Sequence, residues 1–206
     1  MLLKHLCDFA QSRKLLDDLA FSPKAVRWIL ELDANCNLLG GGPQMTGDKK
    51  RGIEINCPQT TRPKVAGGVA EFLADGLTAV FGLDTDPDAH MPAKKRADRD
   101  ANNTAKQADF WRQIEAAEKQ THHPGLKALL AFRSRLPAIT AKLLRWGTAT
   151  DAKAGSKSAW WLRTASGSEA RLGPENFTFR VNGELLLENE TIRQFWRERH
   201  ADEVNE

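Results

Sequence analysis

The sequence predicts an α+β fold: an antiparallel β-sheet, open or partly closed into a barrel, with flanking helices and a small helical insert. Three observations carry this. Apolar residues alternate from Val26 to Leu32 and again over Ile53, Ile55 and Cys57. Phe177, Phe179 and Val181 alternate into Asn182-Gly183, the strongest short hairpin signal a sequence offers. Between these strands, apolar residues recur at helical spacing over about 103–147.

Taken in order, Leu3, Leu6, Cys7, Ala10, Leu15, Leu16 and Leu19 have helical spacing, and Ser22-Pro23 ends that segment. From Val26 the period becomes two, through Asp33. Asp33-Ala34-Asn35-Cys36-Asn37 is turn chemistry, after which Leu38-Leu39 reads as a short partner strand. Gly40 to Asp48 is a flexible loop. Ile53, Ile55 and Cys57 line one face of a third strand, and the sheet buries its apolar face on helix 1 and on the segment Phe72–Phe81. Asp84–Asn103 is polar and reads as a mobile connection, with Asn103 capping a helix that bears Phe110, Trp111, Ile114 and Ala117. His122-His123-Pro124 ends it, and Pro124 suits the first turn of the next helix. Leu136-Pro137 restarts a helix through Ile139, Leu143, Leu144 and Trp146. Thr148–Lys157 is a linker, strand signals return at Trp160-Trp161-Leu162, and Leu185–Leu187 pairs back after the hairpin. A closing helix runs over about Glu190–Ala201.

A chain of 206 residues with 41% hydrophobic and 28% charged residues has enough apolar surface for a core, which excludes global disorder. Its net charge is +3, unevenly placed: from Glu184 onward seven acids face three Arg, so the preceding residues carry +7. Such a basic body is compatible with nucleic acid. Three widely spaced cysteines, Cys7, Cys36 and Cys57, argue against a disulfide framework or structural zinc. No signal peptide or membrane-spanning run is visible, so the expected location is cytoplasmic.

The stretch Lys49–Lys64 is the most distinctive. It holds five cations and one acid, and no large apolar residue lies between Pro58 and Lys64. Lys49, Lys50 and Arg51 read either as a solvated turn or as a phosphate contact. Gln59, Thr60, Thr61, Arg62 and Lys64 form a loop framed by Pro58 and Pro63. Its neutral side chains suit base edges or sugar atoms, and its cations suit phosphate. Gly67-Gly68 either lets a sugar-phosphate strand approach or serves as a loop-to-helix hinge. Asn102-Asn103 is a second polar candidate.

An ordered set of segments resembles the amino-terminal region of the large subunit of the type I-C CRISPR surveillance (Cascade) complex. The segments are Trp28-Ile29-Leu30-Glu31-Leu32-Asp33, Ile53-Glu54-Ile55, Pro58–Arg62, Val80-Phe81-Gly82, Pro124–Phe132, and Phe177–Gly183 leading to Ile192–Trp196. The resemblance implies a single amino-terminal domain over 1–206, with the helical insert inside it. Members are longer, so the chain is expected to be an isolated fragment or a split version of such a subunit. It implies a non-enzymatic, cofactor-free role: recognising the protospacer-adjacent motif on double-stranded target DNA, helping open the duplex and holding the displaced strand. It implies contact with guide RNA only through the complex, with other Cascade subunits, and with a helicase–nuclease effector. The alternatives are a protein-interaction scaffold within the same complex, or a metal-dependent nuclease using Asp84, Asp86 or the His pair.

Other motifs are weaker. Asp84-Thr85-Asp86-Pro87-Asp88 fails as a calcium loop, because Ala89 and Lys95 stand where Gly and Glu are needed. His122-His123 reads as a helix terminator before it reads as an acid/base pair. Trp160 and Trp161 point to opposite faces of a strand; core for both is the first reading, and the alternative has one in the core while the other stacks on a base or a partner protein.

Overall fold

A computed structural model of the chain describes residues 18–47, 52–61, 67–149 and 157–205. The first predicted helix, apart from its last residues, lies outside this set, as do the cations Lys49, Lys50, Arg51, Arg62 and Lys64.

The fold is α+β. Strands β1 (Phe21–Leu32), β2 (Gln44–Met45), β3 (Ile53–Pro58), β7 (Asn176–Val181) and β8 (Glu184–Leu185) form one sheet. Strands β4 (Leu144–Gly147), β5 (Ala159–Arg163) and β6 (Glu169–Arg171) form a second, antiparallel one. Neither closes into a barrel. The described helices are α1 (Leu77–Phe81), α2 (Ala93–Thr121), α3 (Pro124–Arg133), α4 (Leu136–Leu143) and α5 (Glu190–Asn205).

Strand β1 is the spine. It pairs antiparallel with β2 and β3 on one side and parallel with β7 on the other. The sheet is therefore mixed, because more than a hundred residues of helix and second sheet separate β1 from β7 and allow a crossover. The registers Trp28↔Phe177, Leu30↔Phe179 and Leu32↔Val181 put the apolar sets of both strands on one face. Trp28 and Phe177 stack at 6.4 Å; Phe81 meets Phe177 edge-on at 5.1 Å; Phe110 and Trp111 of α2 reach Phe179 at 6.2 and 6.3 Å. Helix α5 adds Trp196, stacked on Phe72 at 5.1 Å.

Several expectations are corrected. Ser22-Pro23 does not end a helix but lies within β1; β7 joins β1 only from Val26, so the donor missing at Pro23 leaves no gap on that side. Leu38 makes only an isolated bridge to Leu32, and Leu39–Gly41 is a 3-10 turn. Ile53 is exposed although Ile55 and Cys57 are buried. Helix α2 begins at Ala93, so Asn103 is inside it rather than at its cap. The first half of α2 has no apolar stripe and reads as loop from sequence. It is held by Arg96, which donates to Pro87 O at 3.1 Å and to Ala89 O, and by Arg99, which pairs with Asp84. Helix α4 stops at Leu143, and Trp146 is on a strand.

Other expectations hold. His122 closes α2 in the left-handed region (φ 51°), and His123 Nδ1 accepts from Gly125 N at 3.1 Å, capping α3 with Pro124 in its first turn. Asn182 and Gly183 both have positive φ, 51° and 81°, as a two-residue hairpin requires.

Candidate nucleic-acid interface

The loop that leaves β3 is fixed at its base by the strand it continues. Gln59 N donates to Ala20 O at 2.9 Å, one residue beyond the β1–β3 pairing of Phe21 with Pro58. Lys24 Nζ donates to Pro58 O at 3.2 Å and pairs with Glu71. Ala20 O also accepts from Trp196 Nε1 at 3.1 Å, so the core indole of α5 and the loop share one carbonyl. The Gln59 side chain is exposed and Thr60 is half-buried. Thr61 Oγ1 donates to Glu203 Oε2 at 2.8 Å, and Glu203 also pairs with Arg199 at 3.1 Å.

The chain re-enters the described structure at Gly67, against α2. Gly67 has φ +71°, and a Cβ built on it would overlap the carboxamide of Asn102. A Cβ on Gly68 would come within 2.8 Å of Ala105 Cβ. The structure gives this Gly pair close backbone packing on the side of α2, which neither reading of the sequence names. It also brings Asn102 to the exit of the loop, while Asn103 is half-buried on the same helix. After Gly68 the chain is tied down again: Ala70 N donates to Asp109 Oδ2 at 2.9 Å, and Gln113 Nε2 to Ala70 O at 2.9 Å.

The other basic segment, 48–51, springs from a pinch. A Cβ on Gly47 would lie 2.8 Å from Gly52 C, and one on Gly52 would lie 2.6 Å from Arg27 Cα. Thr46 Oγ1 donates to Val26 O, and Ile53 N donates to Thr46 Oγ1 at 3.2 Å. The two ends of this four-residue excursion are thus together at the start of β3. The Gln59–Lys64 loop leaves from the other end. Five residue steps along β3 separate the two departure points, about 17 Å.

Of the two acids named for metal chemistry, Asp84 is engaged by arginine, while Asp86 is exposed and donates its backbone N to Asp84 Oδ1 at 3.0 Å. Asp84 accepts from Arg99 and has Arg96 Nη1 at 3.5 Å; the half-buried side chain lies in a cationic notch. Asp88 accepts from Trp146 Nε1 at 2.7 Å. Among the described residues, no group of three or more His, Cys, Asp or Glu is placed to hold a metal ion. No described helix is long and apolar enough to cross a membrane.

Sequence reasoning missed Glu203, Lys24 and the Ala20 carbonyl. Thr61 and Glu203 are 142 residues apart, and no local pattern links them.

The family model described as CRISPR-associated protein (Cas_Csd1) matches residues 5–206. No curated protein matches the chain.

Proposed function

We propose, on the premise that this chain belongs to the CRISPR-associated Csd1 family, that it is the duplex-contacting part of an RNA-guided surveillance complex. The loop Gln59–Lys64 reads the protospacer-adjacent motif, and Lys49, Lys50 and Arg51 hold phosphate beside it. The observation that carries this reading is the anchoring of the loop: Gln59 N is bound to Ala20 O, and Gly67 is packed on Asn102. A polar, cation-bearing segment with both ends fixed loses little entropy when it orders on DNA.

The spacing also fits. The two ends of β3, about 17 Å apart, would span about five base pairs at 3.4 Å per step. Phosphate contacts from one turn would set the register in which the other meets base edges. Sequence beyond the motif is left to guide pairing, as in RNA-guided systems generally. Holding the displaced strand, and contact with the other subunits and with a helicase–nuclease effector, belong to the same reading.

The role proposed is non-catalytic. The Asp84 carboxylate already serves Arg99, His123 serves as a helix cap, and Asp86 belongs to no cluster of three or more possible metal ligands among the described residues. Incubation of pure protein with DNA and Mg²⁺ should leave the DNA intact. Cleavage abolished by Asp84→Ala or Asp86→Ala would contradict this.

The binding role is tested by a salt titration on duplex DNA. Replacing Lys49, Lys50 and Arg51 together by Ala should weaken binding to all duplexes alike and lower the salt slope by about 0.9 per lost phosphate contact. An unchanged slope would return these cations to solvent.

A further inference from the structure

The second sheet has two faces of different character. Register pairs Leu144 with Leu162 and Trp146 with Trp160, and this face turns inward: Leu162 is buried and Trp160 packs against the core. The other face carries Arg145, Trp161, Arg163, Glu169 and Arg171, which the registers Arg145↔Trp161↔Arg171 and Arg163↔Glu169 bring together. Trp161 is half-buried and, unlike Trp160, does not pack against the core. Its Nε1 donates to Gly147 O at 3.0 Å, which fixes the ring, and the Arg145 guanidinium carbon lies 5.4 Å from the ring centroid.

Charge on this face is lopsided. Glu169 is its single acid, and Arg145 holds it in a two-pronged pair at 2.9 and 2.6 Å. Arg163 and Arg171 are exposed and have no acidic partner among the described residues. An anchored indole with one guanidinium against its ring, and two exposed arginines on the same sheet face, offers what an unpaired nucleic-acid strand needs: a π-face for a base and cations for adjacent phosphates.

We infer that the outer face of the β4–β5–β6 sheet is a second nucleic-acid site, which binds a single strand by stacking a base at Trp161 and holding phosphate with Arg163 and Arg171. The Arg145–Glu169 pair braces the indole from one side and is a positioning element. This site stands on its own geometry and does not need the loop at Gln59 to read duplex.

The test uses the full chain and a fluorescent oligo(dT) of about 12 nucleotides, within the range one such platform covers. Trp161→Leu should weaken binding about tenfold or more, while Trp161→Phe retains most of it. Arg163→Ala with Arg171→Ala should lower the single-strand salt slope by about 1.4 for two lost contacts. The Trp161→Leu and Arg163→Ala/Arg171→Ala variants should keep their affinity for duplex DNA, so that failure of the loop reading and failure of this one are separate results. Poly-glutamate should compete weakly; competition equal to that of oligo(dT) would make the face a dock for acidic protein and overturn the inference. Unchanged oligo(dT) affinity in Trp161→Leu would also overturn it. If Trp161→Leu does not fold, the decision falls to the charge reversal Arg163→Glu with Arg171→Glu, which should abolish binding and whose failure to do so refutes the site.

Discussion

Gly67 and Asn102 fit together as knob and socket: the Asn102 carboxamide occupies the space that a side chain at position 67 would need. The chain at Gly67, three residues after the Gln59–Lys64 loop, and the second interface candidate at Asn102 are therefore one structural unit. The positive φ at Gly67 adds a second restriction, since L side chains rarely adopt it.

Gly67→Ala should accordingly destabilise the chain by about 1–3 kcal/mol, from backbone strain and from displacement of Asn102. Adding Asn102→Ala should return part of that loss, because it empties the socket but leaves the strain. Urea unfolding of the two singles and the double measures the coupling. Strictly additive losses would mean that the two residues do not meet.

The loop is tied to the core through one carbonyl. Ala20 O accepts from both Gln59 N and Trp196 Nε1. Trp196→Phe keeps an aromatic ring against Phe72 but removes the indole donor, and should cost about 1–2 kcal/mol. It should also speed hydrogen exchange at the Gln59 amide more than at amides in the middle of β1. Equal acceleration throughout would assign the effect to global stability alone.

Cys57 is fully buried, and burial pushes its thiol up to about 11 from an ordinary 9.0. Because the folded chain holds this proton more tightly than the unfolded chain does, stability should fall as pH rises from about 9 to about 11. In the native protein at pH 8, iodoacetamide should modify the half-buried Cys36 well before Cys57, as peptide mass spectrometry would show. Equal rates would place Cys57 in a more open setting.

Glu203 puts a carboxylate beside the loop, where it accepts from Thr61. A negative charge there opposes phosphate. Glu203→Gln should raise duplex affinity severalfold at low salt, with the gain shrinking as salt screens it. A loss of affinity would show that Thr61 must be held by the carboxylate to bind DNA.

How much of this was legible depended on whether burial left a mark in the local pattern. Val26–Leu32 and Phe177–Val181 alternate because one face of each packs on aromatic residues, and both were read as strands. Their parallel pairing was not readable, since register across 150 residues leaves no trace at either strand. Residues 93–103 read as connection because that part of α2 is mostly solvated; its order comes from Asp84 and two carbonyls that receive Arg99 and Arg96. At the interface, composition singled out Gln59–Lys64, but the partners that hold it, Ala20, Lys24 and Glu203, come from both ends of the chain. Strand periodicity places Trp160 and Trp161 on opposite faces, but core for both is not what the structure shows: Trp160 packs on the core and Trp161 does not.

If the anchored loop reads the adjacent motif, its side chains must distinguish DNA that carries the motif from DNA that does not. The most direct test is target binding by the reconstituted complex, on DNA with the correct motif and with a mutated one, using single Ala changes at Gln59, Thr61, Arg62 and Lys64. At least one change should cost about 1–3 kcal/mol on the correct motif and much less on the mutated one. Equal losses on both DNAs, or no loss on either, would contradict motif reading by this loop.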